Sequence, residues 1–267
     1  MLPKIKCIFI FIVASFCFHV CANDSTLIKS VPLKDIEQVT HDEFYNLYIC
    51  TGSGQIHKYD SKGNYLLSNS PAKPQRIHNI EALNTIRIFC FYRELQEFNY
   101  FDRFLTFENS IRFDPSLIGY ARTATVSSDN GIWLFDEADY TIKKYDPVSQ
   151  KLLHTINYTQ VVQGDQNVTF MKEYQNKLYV MNRDSGIAIF DNMGNFSKKI
   201  RLPGITQISF YKDEMYALCG KTKYTINLYD ALSVQSLALD TSYSVYFRSE
   251  QYKYFFQGHG FKITKAP

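Results

Sequence analysis

Phe190-Asp191-Asn192-Met193-Gly194-Asn195-Phe196 reads as a strand end, a tight turn and a strand start within seven residues. The aromatic suits a pleated surface, the carboxylate can accept turn N–H groups, the glycine tolerates positive φ, and the second aromatic resumes the strand. Tyr59-Asp60-Ser61-Lys62-Gly63-Asn64-Tyr65 repeats the order. Working outward, the aromatic-Asp pair returns at Phe101-Asp102, Tyr145-Asp146 and Tyr229-Asp230, so successive Asp residues are 42, 44, 45 and 39 apart. A β-branched or aromatic run precedes each one: Leu47 to Cys50, Ile86 to Phe91, Ile132 to Phe135, Leu178 to Met181 and Met215 to Cys219. A further apolar run follows the turn, as in Tyr65 to Leu67 and Phe196 to Leu202.

A period of about 40 residues holding four short strands is the content of one propeller blade. The aromatic is expected between blades and the Asp as a cap on the turn after the third strand, so the repeated carboxylates read as structural. Tyr243 to Phe247, Tyr252 to Phe256 and Phe261 to Thr264 supply three strands of a sixth unit, and Thr26 to Val31, before a first blade starting near Ile36 to Val39, supplies the fourth. Closing the ring this way removes open sheet edges. The sequence therefore predicts an all-β protein: one six-bladed β-propeller domain over 23–267, its last blade closed by the N-terminal strand. On this repeat the chain resembles the six-bladed propellers of the NHL-like and TolB-like grouping over roughly residues 25–267. The resemblance implies the architecture and carries over no active residue.

Composition agrees. The 20 Tyr and 21 Phe, beside one Trp, favour pleated strands over helices. Hydrophobic residues at 45% and charged ones at 21% allow a real core. The net charge of +3 offers no nucleic-acid footprint, and without Lys4 and Lys6 it falls to about +1. Those lysines precede an apolar run, Cys7 to Val20, and then Val20-Cys21-Ala22, which reads as a secretory signal peptide over 1–22 cleaved after Ala22. The run is too short to span a bilayer, and no other segment is long enough. Cys21 is a weaker candidate for lipidation, because Phe18-His19-Val20 is a poor match to the residues usual before a lipidated cysteine. The expected location is exported: periplasm, cell surface or medium. Cys50, Cys90 and Cys219 remain beyond the signal region; they read as buried strand residues, with a Cys50–Cys90 bridge as the alternative.

The signatures of several propeller families are absent from the sequence. The single Trp, Trp133, precedes Leu134, so neither repeated Trp-Asp pairs nor the docking Trp per blade of quinone-dependent dehydrogenases is present. Asp-boxes, kelch Gly-Gly pairs and Gly-x-Ser-x-Gly do not occur, and Thr51-Gly52-Ser53-Gly54 lacks the rest of a phosphate loop. No two of the six His stand at helical metal-pair spacing. No cofactor is called for.

A propeller site is expected where the loops between second and third strands and the blade crossings surround the channel. The loops are Tyr92 to Leu95, Glu137 to Tyr140, Arg183 to Gly186, Lys221 to Lys223 and Gln257 to Gly260, with crossings near Pro71 to Gln75 and Gln163 to Asn167. They present Arg93, Glu137, Asp139, Arg183, Asp184 and His259 as candidate ligand-binding groups. Two functions compete. One is a non-catalytic module docking a protein or envelope component through its rim, with Tyr92 and Tyr140 as aromatic anchors. The other is a metal-assisted hydrolase or lactonase, which needs acidic ligands from at least three blades at the channel mouth.

Overall fold

A computed structural model describes residues 26–83, 86–162, 166–230 and 233–266; the signal-peptide and Cys21 readings lie outside them. Strand β1 (Leu27–Pro32) comes first. It is followed by β2 (Ile36–His41), β3 (Leu47–Thr51), β4 (Ile56–Tyr59) and β5 (Tyr65–Asn69) as blade 1, and by β6 (Asn79–Leu83), β7 (Arg87–Tyr92), β8 (Glu97–Asp102) and β9 (Phe107–Arg112) as blade 2. Blade 3 is β10 (Ala121–Val126), β11 (Ile132–Asp136), β12 (Thr141–Asp146) and β13 (Lys151–Asn157). A one-turn helix, α1 (Tyr158–Val161), leads to blade 4, with β14 (Val168–Tyr174), β15 (Lys177–Asn182), β16 (Gly186–Asp191) and β17 (Phe196–Arg201). Blade 5 is β18 (Gln207–Tyr211), β19 (Glu214–Cys219), β20 (Thr222–Asn227) and β21 (Val234–Ala238), and the chain closes through β22 (Val245–Arg248), β23 (Tyr252–Gln257) and β24 (Gly260–Lys265).

Six antiparallel four-stranded sheets result, and the sixth has the order β1-β24-β23-β22. The protein is a six-bladed β-propeller whose last blade takes its outer strand from the N-terminal side, with Val31 opposite Phe261 and Pro32 opposite Gly260. Pro32, which has no N–H to donate, sits at the end of an edge strand, where the ladder loses least.

The second strands carry the strongest sequence signal because both of their faces are covered by neighbouring blades. Every residue of β3 and β11 is buried, whereas outer strand β13 alternates between exposed and half-buried. Six apolar clusters fill the six seams, from the Tyr48, Ile80 and Phe101 cluster between blades 1 and 2 to the Leu47, Tyr254 and Ile263 cluster that joins blade 6 back to blade 1. Cys50 and Cys90 lie in the first of these as free, buried thiols, and burial pushes both thiols up.

The Asp caps are observed. Asp191 Oδ1 accepts from the N–H groups of Met193 (2.9 Å) and Asn195 (2.8 Å), and its Oδ2 accepts from Asn195 Nδ2. Asp60 does the same for Lys62 and Asn64, and Asp102 caps Phe104 and Thr106. Gly194 has φ +87°, and a Cβ there would meet Ile156 Cδ1 at 2.4 Å, so glycine fits this turn without strain. Blade 5 departs from the expected pattern. Its cap is Asn227, whose Oδ1 accepts from Tyr229 and Asp230 N–H at 2.9 Å each. A carboxamide oxygen serves as acceptor equally well, and the aromatic-Asp pair falls three residues late, inside the turn. Tyr229 is consequently 69% exposed, not packed between blades.

Candidate functional site

Antiparallel pairing puts the second-to-third-strand loops and the blade crossings on one face, with the Asp-capped turns on the other. A channel runs inward from the first face. Its upper part is a cavity of about 270 Å³ bounded by Glu37, His78, Thr169, Arg183, Thr206 and Ser244. A lower cavity of about 170 Å³ shares Gln38, Val39, Phe170, Gln207, Ile208 and Val245 with it and extends to His41, Glu81, Lys172 and Phe247. The two are therefore one continuous channel. The inner strands β2, β6, β14, β18 and β22 build its walls.

Blade 3 contributes no residue to these walls. Lys172 on β14 reaches past blade 3 to Glu81 on β6, Nζ to Oε2 at 2.6 Å, and Glu81 is 2% exposed. Asn79 Nδ2 donates to Glu81 Oε1 (2.9 Å) and to the Ala124 carbonyl of β10 (2.7 Å). These contacts span the inner edge of blade 3.

At the mouth, Arg76 Nε holds Glu37 Oε2 at 2.6 Å. Arg93 Nη2 lies 2.8 Å from His78 Nε2, and Glu94 Oε2 lies 3.1 Å from His78 Nδ1. With Nε2 accepting from Arg93 Nη2, a neutral imidazole carries its proton on Nδ1, which faces Glu94 Oε2 and also lies 3.4 Å from the Arg93 backbone N–H. Burial, followed by the Arg93 guanidinium, lowers the His78 pKa to about 4. Burial also lowers the pKa values of His41 and His57.

Between the ordinary histidine value of 6.5 and about 4, the unfolded chain binds a proton that folded His78 refuses. Stability is therefore expected to fall as pH drops through that window. His78 should account for about 3 kcal/mol of the loss, and His78→Gln should flatten the melting-temperature profile between pH 6.5 and 4 by that share. An unaltered profile in the variant would remove His78 from the account.

The predicted site residues separate into groups. Arg93 and Arg183 come to the mouth, Arg93 through His78 and Arg183 directly. Glu137 binds Arg122, which also donates to Asn167 Oδ1, and Asn167 donates to Asp184 Oδ2, so Glu137 and Asp184 belong to one network across the loops of blades 3 and 4. Asp139 instead faces blade 3, pairing with Lys143 at 2.8 Å and capping Thr141. His259 is exposed and touches the adjoining segment through its backbone carbonyl, which accepts from Leu33 N–H.

Neither proposed aromatic anchor is free. Tyr92 ends β7 and is 4% exposed, because loop 93–96 starts one residue later than expected. Tyr140 is half-buried against Phe135, their ring centroids 6.5 Å apart. Sequence reading missed Glu37, Arg76, His78, Glu81 and Lys172. The signal present for Glu81 and Lys172 was a charge inside an otherwise strand-like run.

Among the described residues no group of three His, Cys, Asp or Glu could hold a metal ion, so the acidic convergence expected of a metal-assisted hydrolase is not found among them. No helix among them is long and apolar enough to cross a membrane.

No protein-family profile matches the chain, and no curated protein matches it. Solved structures do. The extracellular domain of BT4673 from B. thetaiotaomicron, described as a one-component system, superimposes with a TM-score of 0.58 at 12% identity over 86% of this chain; the chain spans only 33% of that one. Virginiamycin B lyase from Staphylococcus aureus gives 0.61 at 9% identity, covering 89% of this chain and 99% of the lyase. A Bacteroides thetaiotaomicron protein of unknown function gives 0.67 at 8% identity, covering 91% and 72%. Likeness at this identity shows the fold alone, a β-propeller.

Proposed function

We propose that this protein is an exported, non-catalytic binding module that docks a protein or cell-envelope component on the face around the channel mouth. The observation that carries the reading is the concentration there of long charged side chains from several blades, Arg76, Arg93, Arg122, Glu137 and Arg183, around an open cavity. The sequence pattern of residues 1–22, which reads as a signal peptide, supports export, as does the likeness to an extracellular domain. On this reading Arg93, Glu137, Arg183 and Asp184 meet the partner, while Asp139 serves its own blade and His259 lies at the rim.

Photo-crosslinking in intact cells tests it. A benzophenone amino acid at position 183 is expected to trap one envelope partner, and the same group at Lys151, on the outer strand β13, is expected to trap none. Equal labelling from both positions, or none from 183, would overturn the reading. N-terminal sequencing of the exported chain should start at Asn23.

A further inference from the structure

The channel itself has a character distinct from the mouth face. Its charged walls balance almost completely: Glu81 is matched by Lys172 and Glu37 by Arg76, at 2.6 Å each. Arg183 lines the upper cavity and, among the described residues, has no side-chain partner. Among the described residues it is the uncompensated cation over the channel. The hydroxyls on the wall of blades 5 and 6 already have backbone partners: Thr206 donates to Leu218 O, Ser209 to Tyr246 O and Ser244 to Phe256 O. Gln207 is likewise bound to the Tyr246 backbone through both its amide atoms. The apolar residues that line the lower cavity on that side are Ile208, Phe210, Val245 and Phe247, of which Ile208 and Phe247 belong to the blade seams and show only a small face, with Val39 and Phe170 beside them. Descending from Thr169 to Lys172 covers three residues of strand rise, about 10 Å.

From this geometry we infer that the channel binds a small, elongated monoanionic amphiphile, its carboxylate on Arg183 at the mouth and its apolar body lying along Val39, Phe170, Ile208 and Val245. Among the described residues that line the channel, a cation has no unmatched acid to meet and a dianion has no second free base. The inference deepens the binding-module reading and rests on it for the mouth face alone.

Three probes with one body and different heads test it by calorimetry: 4-phenylbutyrate, 4-phenylbutanamide and 4-phenylbutylamine. The acid is expected to bind about tenfold more tightly than the amide, as one charge-assisted contact allows, and the amine is expected not to bind. Arg183→Gln, at an exposed position, should bring the acid down to the affinity of the amide and leave the amide unchanged. Methyl NMR on the wild-type protein places the probe without a core variant, with shifts expected at Val39, Ile208 and Val245. Equal affinity for acid and amide, an Arg183→Gln variant that binds the acid as before, shifts confined to the outer strands, or no binding of the acid at millimolar concentration would each overturn the proposal. If partner crosslinking at 183 survives any of these results, the channel ligand alone is lost and the docking face stands.

Discussion

A chain shortened to begin at Leu33, lacking β1, is expected to melt about 10–20 °C lower than the longer protein and to aggregate at concentrations where the parent stays monomeric. β1 is the outer strand of blade 6, so its removal leaves the β24 ladder groups from Gly260 to Thr264 unpaired. It also uncovers part of the seam that buries Phe261 and Ile263, now 2% and 0% exposed. Lost ladder bonds and uncovered apolar surface together amount to about 5 kcal/mol, which sets the fall in melting temperature for a protein of this size. The aggregation follows from a bare edge able to pair with another chain. A contact on the turn side is lost as well, since Lys29 Nζ donates to Asn64 Oδ1 at 2.6 Å, tying blade 6 to the capped turn of blade 1. Thermal melts and light scattering on the two proteins check this. A shortened chain that melts within two or three degrees of the parent would show that ring closure does not depend on this strand.

Asp136→Ala is expected to cost about 3–5 kcal/mol, the largest single-residue effect predicted for the mouth side. Asp136 has no exposed surface. Its Oδ2 accepts from Gly119 N–H (2.8 Å) and Lys143 Nζ (2.6 Å), and its Oδ1 from Tyr120 N–H (2.9 Å) and Ala138 N–H (3.0 Å). The carboxylate thereby fastens the crossing from blade 2 to the loop that carries Glu137 and Asp139. Its hydrogen bonds to Lys143 and the three backbone amides outweigh the effect of burial and hold its pKa below the usual value. Alanine would strand three amides and leave Lys143, itself 6% exposed, with Asp139 as its remaining carboxylate. Asp136→Asn keeps an acceptor and should fall between the two. Urea unfolding of the three proteins decides, and a loss below 1 kcal/mol for alanine would mean that water replaces the carboxylate.

Much of this was legible in the sequence, for identifiable reasons. Second strands covered on both faces must be continuously apolar, so Leu47 to Cys50 and Ile132 to Phe135 stand out without any partner strand in view. The capped turns of Asp60 and Asp191 are local interactions, closed within four residues, and the chain spells them out. Blade 5 shows the limit of such a signal. Asn227 satisfies the same N–H groups as an Asp would, and no letter-level motif follows a function shared by two residue types.

The site was legible only as a set of loops. Arg93 and Arg183 could be placed near the mouth from the sequence because loop position follows from strand count. The sequence does not show that Asp139 pairs with Lys143 on its own blade, nor that a one-residue shift of a strand end buries the Tyr92 ring.

The sequence by itself determined the number of blades, the turn chemistry and the strand that closes the ring, since all three rest on local spacing and on burial that any neighbouring blade would enforce. Only the tertiary structure decided that Glu81 and Lys172, 91 residues apart, meet across blade 3 and that Arg183 is left, among the described residues, as the uncompensated charge of the channel. Pairing between inner strands depends on how six sheets lie about one axis, and no periodicity along the chain records which side chains meet there.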